Sequence, residues 1–211
     1  MMLSPMQKDV LTEIINVHIG LAAKSLSEMI NQRVLLSVPE IEFIQHSDTD
    51  VFDRIHHEFL MGEKVICSIK FGPDFVGKVF LVLPIENAKI LSNACIGINE
   101  VKERESQSFS LNEMDLDIIK EVSNVIFNVL IGEFGNLLET KLKYTIPNIN
   151  TLTISESDKY LLFPKEVNAL ILHTKFLFTN SQLSSTILIA LFGDSISLLI
   201  DKIDTMLEDL T

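Results

Sequence analysis

Two groups of three side chains in this sequence could do chemistry together. Asp9, Glu13 and Asn16 recur, at a constant shift of 108 residues, as Asp117, Glu121 and Asn124. At about 100° per residue, helix positions i, i+4 and i+7 fall within an arc of roughly 60°, so each trio forms one stripe. An Asp and a Glu on one stripe repel slightly and offer each other no cation. Asn is a mediocre residue inside a helix, and an inert wet face would more easily carry Glu, Lys or Gln. Neighbouring positions read as solvent-facing have drifted between the copies: Gln7 against Asp115, Lys24 against Gly132, Glu28 against Asn136. Each stripe is therefore read as a contact site.

No nucleophile, metal cluster or phosphate cradle accompanies these residues. The set suits a trans-acting role on a phosphoryl group already held by another protein. A carboxamide donates and accepts hydrogen bonds at once, so it can orient a water for in-line attack on phosphorus. Being neutral, it does not repel the anionic phosphoryl group. Phosphoryl hydrolysis depends mainly on such positioning. The Glu one turn earlier is better suited to pairing with a lysine of the partner, which sets the register of docking.

The elements that must carry the stripes are also written twice. Ser4-Pro5-Met6-Gln7 reads as a helix start, with a Ser cap, Pro at the first helical position and Gln three residues after the cap. Asn112-Glu113-Met114-Asp115 occupies the equivalent place, with Asn as cap. Apolar residues then recur at helical spacing to about Ile30 and about Leu138, and they match at the same shift: Val10 with Ile118, Leu11 with Ile119, Ile14 with Val122, Val17 with Val125. Pro39 and Pro147 force extended backbone on the residues before them. Strands are expected around Val65–Ile69 and Val79–Leu83, and again around Ala169–Leu172 and Thr186–Phe192. Short helices follow, one ending near Ile96 with Gly97 just beyond it, the other over Gly193–Ile203.

The expected fold is α+β: two pseudo-symmetric halves sharing a largely antiparallel sheet, with two long helices packed on one side. One domain spans 1–211, built from a first half (1–98), a polar linker (99–110) and a second half (111–211). The chain carries 17 basic and 29 acidic residues, a net charge of −12, which argues against a nucleic-acid binder needing a basic face. Apolar residues make up 47%, enough for a sizeable core. Cys67 and Cys95 cannot frame a disulfide scaffold or a four-ligand zinc site and read as small core residues. The His56-His57 pair and the remaining histidines lack ligand spacing. His18 reads as a partly buried helix residue and His173 as a strand residue. Thirteen Phe and no Trp signify packing. With no membrane-length apolar run and no signal-peptide start, the expected setting is cytoplasmic.

The spacing of Asp9, Glu13, Asn16 and Pro39, repeated in Asp117, Glu121, Asn124 and Pro147, resembles the motif of the CheC/CheX/FliY phosphatases of chemotaxis. That motif is Asp or Ser, three residues, Glu, two residues, Asn, twenty-two residues and Pro. Gly77-Lys78-Val79-Phe80-Leu81-Val82-Leu83-Pro84 looks like the family's strand entering its second helix. Two motifs without the C-terminal switch domain of FliY look most like CheC. The resemblance implies dephosphorylation of the aspartyl-phosphate of the response regulator CheY or a related receiver domain. Glu13 and Glu121 would then be docking acids, Asn16 and Asn124 would place the attacking water, and Asp9 and Asp117 would give local support. It implies no cofactor of its own, since Mg2+ sits on the phosphorylated partner, and it brings CheD in as a further possible partner. The alternative is a non-catalytic CheC-like binding module for a receiver domain, CheD or the flagellar switch; FliM has a middle domain of similar fold. His18 departs from the family's small residue at that position: its ring either narrows the docking surface or lies on another face of the helix. The second copy, Asn124-Val125-Ile126-Phe127-Asn128, looks closer to its family counterpart, and the second site is favoured should only one be active.

Overall fold

The structure, a computed structural model, describes residues 3–37, 40–44, 53, 56–98, 110–158, 168–178 and 182–209. Along the chain run α1 (Pro5–Ile30), β1 (Leu35–Leu36), β2 (Glu40–Ile44), a π-helical turn (His56–Leu60), β3 (Gly62–Gly72), β4 (Gly77–Pro84) and α2 (Ile85–Cys95). There follow α3 (Glu113–Leu137), β5 (Lys143–Tyr144), β6 (Asn148–Ile154), a 3-10 turn (Glu156–Asp158), β7 (Asn168–Leu177), β8 (Gln182–Leu191) and α4 (Ser195–Glu208). Pro39 and most of the expected linker lie outside the described residues.

Capping chemistry sets both long helices. Ser4 Oγ accepts from Gln7 N at 3.2 Å while Gln7 Oε1 accepts from Ser4 N at 2.7 Å, closing a capping box ahead of Pro5. Asn112 and Asp115 make the same reciprocal pair at 2.9 Å each way. The short helix α2 ends in a Schellman turn: Gly97, at φ +75°, donates to Ala94 O, and Ile98 N donates to Asn93 O.

The fold class read from the sequence is borne out. Among the described residues, eight strands form one sheet in the order β1-β7-β8-β4-β3-β5, with β2 also on β7 and β6 also on β3, and every pairing is antiparallel. With β1, β3 and β4 matched to β5, β7 and β8, this order reads the same from either end. Its midpoint lies between β4 and β8, where Phe80 opposes Leu188, the residue 108 further on. Gly77 sits in the tightest part of that seam, where an added Cβ would lie 2.7 Å from Ala190 O.

The constant shift does not run through the sheet unbroken. Lys64 opposes Pro84, but Leu172, the residue 108 beyond Lys64, opposes Ile187 and not Phe192. Side chains alternate with a period of two, so this slide of five residues exchanges the faces. Val65, Cys67 and Ile69 look toward the helices, as do Leu170, Leu172 and Phe176. Their shifted counterparts His173 and Lys175 look the other way.

Two cores result. The larger packs α1, α3 and the inner faces of α2 and α4 on one side of the sheet, through residues such as Leu11, Ile15, Ile119, Ile126 and Leu199. Phe71, Phe75 and Phe134 cluster there, with ring centroids 5.4–6.4 Å apart, which makes phenylalanine a packing residue here. On the opposite side, Ile66, Phe80, Val82, Ile171 and Leu188 form a second apolar layer under Leu60.

Asp115 corrects one expectation. It was read as a solvent position, but it is buried, 3% exposed, and joins α3 to α2. Lys89 Nζ donates to its two oxygens at 2.9 and 2.7 Å, Ser92 Oγ donates at 2.7 Å, and Asn112 N donates at 2.9 Å. Gln7 plays the corresponding part for α1, with its Nε2 donating to Asp204 on α4 at 2.6 Å. A position that joins a helix start to a short helix is a packing position, and an acid is admitted because four hydrogen bonds meet it. Burial pushes the Asp115 carboxyl up, but the bonds from Lys89, Asn112 and Ser92 and the Lys89 charge outweigh it and hold the group below its ordinary range. Its stabilisation is therefore full above the unfolded carboxyl range, near about pH 4, and is lost as pH falls from there through the depressed folded value. Asp115→Ala should lower stability at pH 7 by about 2 kcal/mol. Urea midpoints taken between pH 7 and pH 3 should fall less steeply for this variant than for the wild type.

Candidate functional site

A helix that buries one side against a sheet and another flank against a neighbour has one flank left for solvent. In α1 the buried residues Leu11, Ile15, Ile19, Ala22 and Leu26 mark the sheet side. His18 marks the flank toward α3: its Nδ1 lies 2.6 Å from Ile14 O, and its Nε2 lies 2.5 Å from Glu133 Oε2. At about 100° per residue, His18 is roughly 180° around the helix from Asp9. Glu133 is likewise roughly 160° from Asp117 around α3. The helices therefore meet through their His18 and Glu133 flanks, and the two stripes face outward on separate sides.

Each predicted site residue sits where a contact could reach it. Asp9, Glu13, Asp117 and Glu121 are exposed, while Asn16 and Asn124 are half-buried at the inner edge of their stripes. The trios remain two sites and are not brought together into one. His18 is held against α3 on the opposite side of α1, so it does not crowd the first stripe. The ground it offered for preferring the second site falls away.

A different contrast separates the two amides. Asn16 Oδ1 is buried and has no hydrogen-bond partner among the described residues. Leaving a buried carbonyl unpaired costs about 1–3 kcal/mol, and it turns that oxygen away from anything docking on the stripe. No such buried atom occurs at Asn124, whose amide makes no hydrogen bond to the described residues.

The sequence reading missed the apolar rim of the first stripe. Val17 and Leu21 are 52% and 47% exposed, and Gly20 lies beside them with open space where a Cβ would be. They lie roughly 80°, 120° and 20° from Asp9 around the helix. Val17 had been counted as an apolar match to Val125, but Val125 and Val129 are half-buried on α3. Periodicity marks a residue as apolar without saying whether anything covers it, so only the packing separates these cases. An acid, an amide and an exposed apolar margin thus share one open flank of α1.

The remaining candidates add no chemistry to the stripes. Cys67 lies in β3 and Cys95 at the end of α2, and burial pushes both thiols up, Cys95 to about 11. Among the described residues, no group of three or more His, Cys, Asp or Glu side chains gathers to hold a metal ion. No helix among them is long and apolar enough to cross a membrane.

No protein-family model matches the chain. A sequence relative is the flagellar motor switch phosphatase FliY of Bacillus subtilis (strain 168). It is 24% identical over 155 residues, covering 73% of this chain and 38% of the FliY. The chain thus spans less than half the length of that relative. Among solved structures, the X-ray structure of Thermotoga maritima FliY superposes with a TM-score of 0.73 at 18% identity, covering 97% of this chain and 99% of that one. A chain of the FliG–FliM complex from H. pylori superposes with a TM-score of 0.67 at 9% identity, covering 94% and 100%. The structural likenesses establish the fold, and with the FliY sequence match they bear out the resemblance to the CheC-like family read from the two motifs.

The unpartnered oxygen of Asn16 has a consequence for stability. Asn16→Ala removes it and improves helix propensity, so it should raise stability by about 1 kcal/mol. Asn124→Ala should gain only the smaller propensity term. Denaturant titration of the two variants checks this, and a clear loss of stability in Asn16→Ala would reveal a structural partner for the amide.

Proposed function

From kinship with the CheC-like proteins and two outward-facing Asp/Glu/Asn stripes, we propose that the chain is a phosphatase of phosphorylated receiver domains, of which CheY is the type. The observation that carries this is the pairing, on each long helix, of an exposed acid with a half-buried amide one turn further along. Docking places the Glu13 or Glu121 carboxylate against a lysine of the receiver, a charge-assisted contact that fixes register. Asn16 or Asn124 then lies over the partner's aspartyl-phosphate and holds a water in line with the bond to be broken. Its amide N–H is available to a water oxygen or to a phosphoryl oxygen, and no charge is brought near the anion. Asp9 and Asp117, one turn before each Glu, extend the acidic edge that meets the receiver. The Mg2+ that offsets phosphoryl charge is supplied by the receiver, so the donor set needed on this chain is an acid and an amide alone. Residues 1–98 and 111–211 act as two halves of one domain, each supplying a site.

A second reading has its own support: the H. pylori complex pairs a chain of this fold with FliG. In that reading the stripes dock a receiver, CheD or a switch component without turnover. The presence of the Asn at the same place on both helices favours the phosphatase, because docking alone does not require an amide there.

Phosphate release from a phosphorylated CheY-type receiver tests the proposal. Asn16→Ala combined with Asn124→Ala should lower the rate by about 100-fold or more while receiver binding persists. Of the single changes, Asn124→Ala should cost more, because the Asn16 carbonyl is turned inward. Turnover unchanged in the double variant rejects the mechanism, and binding without turnover in the wild type favours the docking module.

A further inference from the structure

The sheet face turned away from the long helices carries a recess of different chemistry. A cleft of about 730 Å³ opens there, with Lys64 of β3, Ser184 and Thr186 of β8, and His173 and Lys175 of β7 among its walls, and Phe59 at one side. The five-residue slide of β7 is what turns His173 and Lys175 toward this side. Lys64 is only 8% exposed, and its ammonium has no ion pair or hydrogen bond among the described residues. Burial pushes it down from the usual lysine value. The aliphatic stem is what is covered: the ammonium is not among the buried unpartnered atoms, so it reaches the cleft and is open to an anion there.

The neighbours are arranged to receive one. Lys175 stands exposed at the mouth, with its backbone pinned by Ser37: Ser37 N donates to Lys175 O and Lys175 N donates to Ser37 Oγ, both at 2.9 Å. His173 is already engaged, stacked on Phe59 at 3.9 Å with Nε2 3.5 Å from Glu42 Oε1. Among the described residues, no carboxylate lines the cleft, on a chain whose net charge is −12. β7, β8, β4 and β3 are consecutive in the sheet, so the two lysines stand about 14 Å apart at their Cα atoms, and a group lying over β8 and β4 falls between them.

We propose that this cleft binds a small phosphate ester, with the phosphate oxygens held by the Lys64 and Lys175 ammoniums and by the hydroxyls of Ser184 and Thr186. A phosphate monoester carries close to two negative charges and three terminal oxygens at neutral pH, which matches two cations and two hydroxyl donors. The volume exceeds what a free phosphate fills and leaves room for the organic group beside Phe59. The site is on the other side of the sheet from the stripes and independent of them.

Phosphorus NMR and thermal denaturation of the full chain, with ribose 5-phosphate, ribose and inorganic phosphate as probes, test the assignment. Ribose 5-phosphate should bind the wild type and raise its Tm with concentration, while ribose should do neither. Lys64→Met should weaken the ester by about tenfold or more. Lys175→Met should weaken binding while leaving the ligand-free Tm unchanged. Inorganic phosphate binding as tightly as the ester would mean an adventitious ion only and would overturn the proposal. Absence of ester binding, or undiminished binding in Lys64→Met, would overturn it as well.

Discussion

The contact between α1 and α3 organises this molecule. Each long helix must bury one side on the sheet, and their mutual packing through His18 and Glu133 takes a second flank. What remains is a narrow wet edge on each helix, on opposite sides of the pair. Asp9, Glu13 and Asn16 occupy one such edge, and Asp117, Glu121 and Asn124 the other.

The inner margin of the first edge does not follow stability alone. An Asn in mid-helix with a buried, unpartnered carbonyl is a local inconsistency of the kind that fold stability alone would remove. Asp115 is the opposite case, a buried charge that four hydrogen bonds make consistent with its surroundings. The contrast separates an acid kept for architecture from an amide whose retention needs another reason.

Much of the architecture was legible in the sequence because it rests on local rules. Caps, the Pro at the helix start and the αL glycine after α2 each depend on a few neighbouring residues, and all fell at their expected places. Helix face was legible too, since a period of 3.6 follows from the backbone alone. Asp115 was harder. Its side chain is polar, and polarity says nothing of whether a neighbouring helix arrives to cover it.

The sequence by itself determined the order of elements, the two stripes and their chemical kind, because spacing along a helix is covalent geometry. Only the tertiary structure decided which flanks stay wet, that Glu133 of α3 meets His18, and that the shift of 108 breaks at β7. Those outcomes depend on how separate elements meet across the sheet. There a register slip of an odd number of residues moves a lysine from one face to the other without changing a letter of its strand.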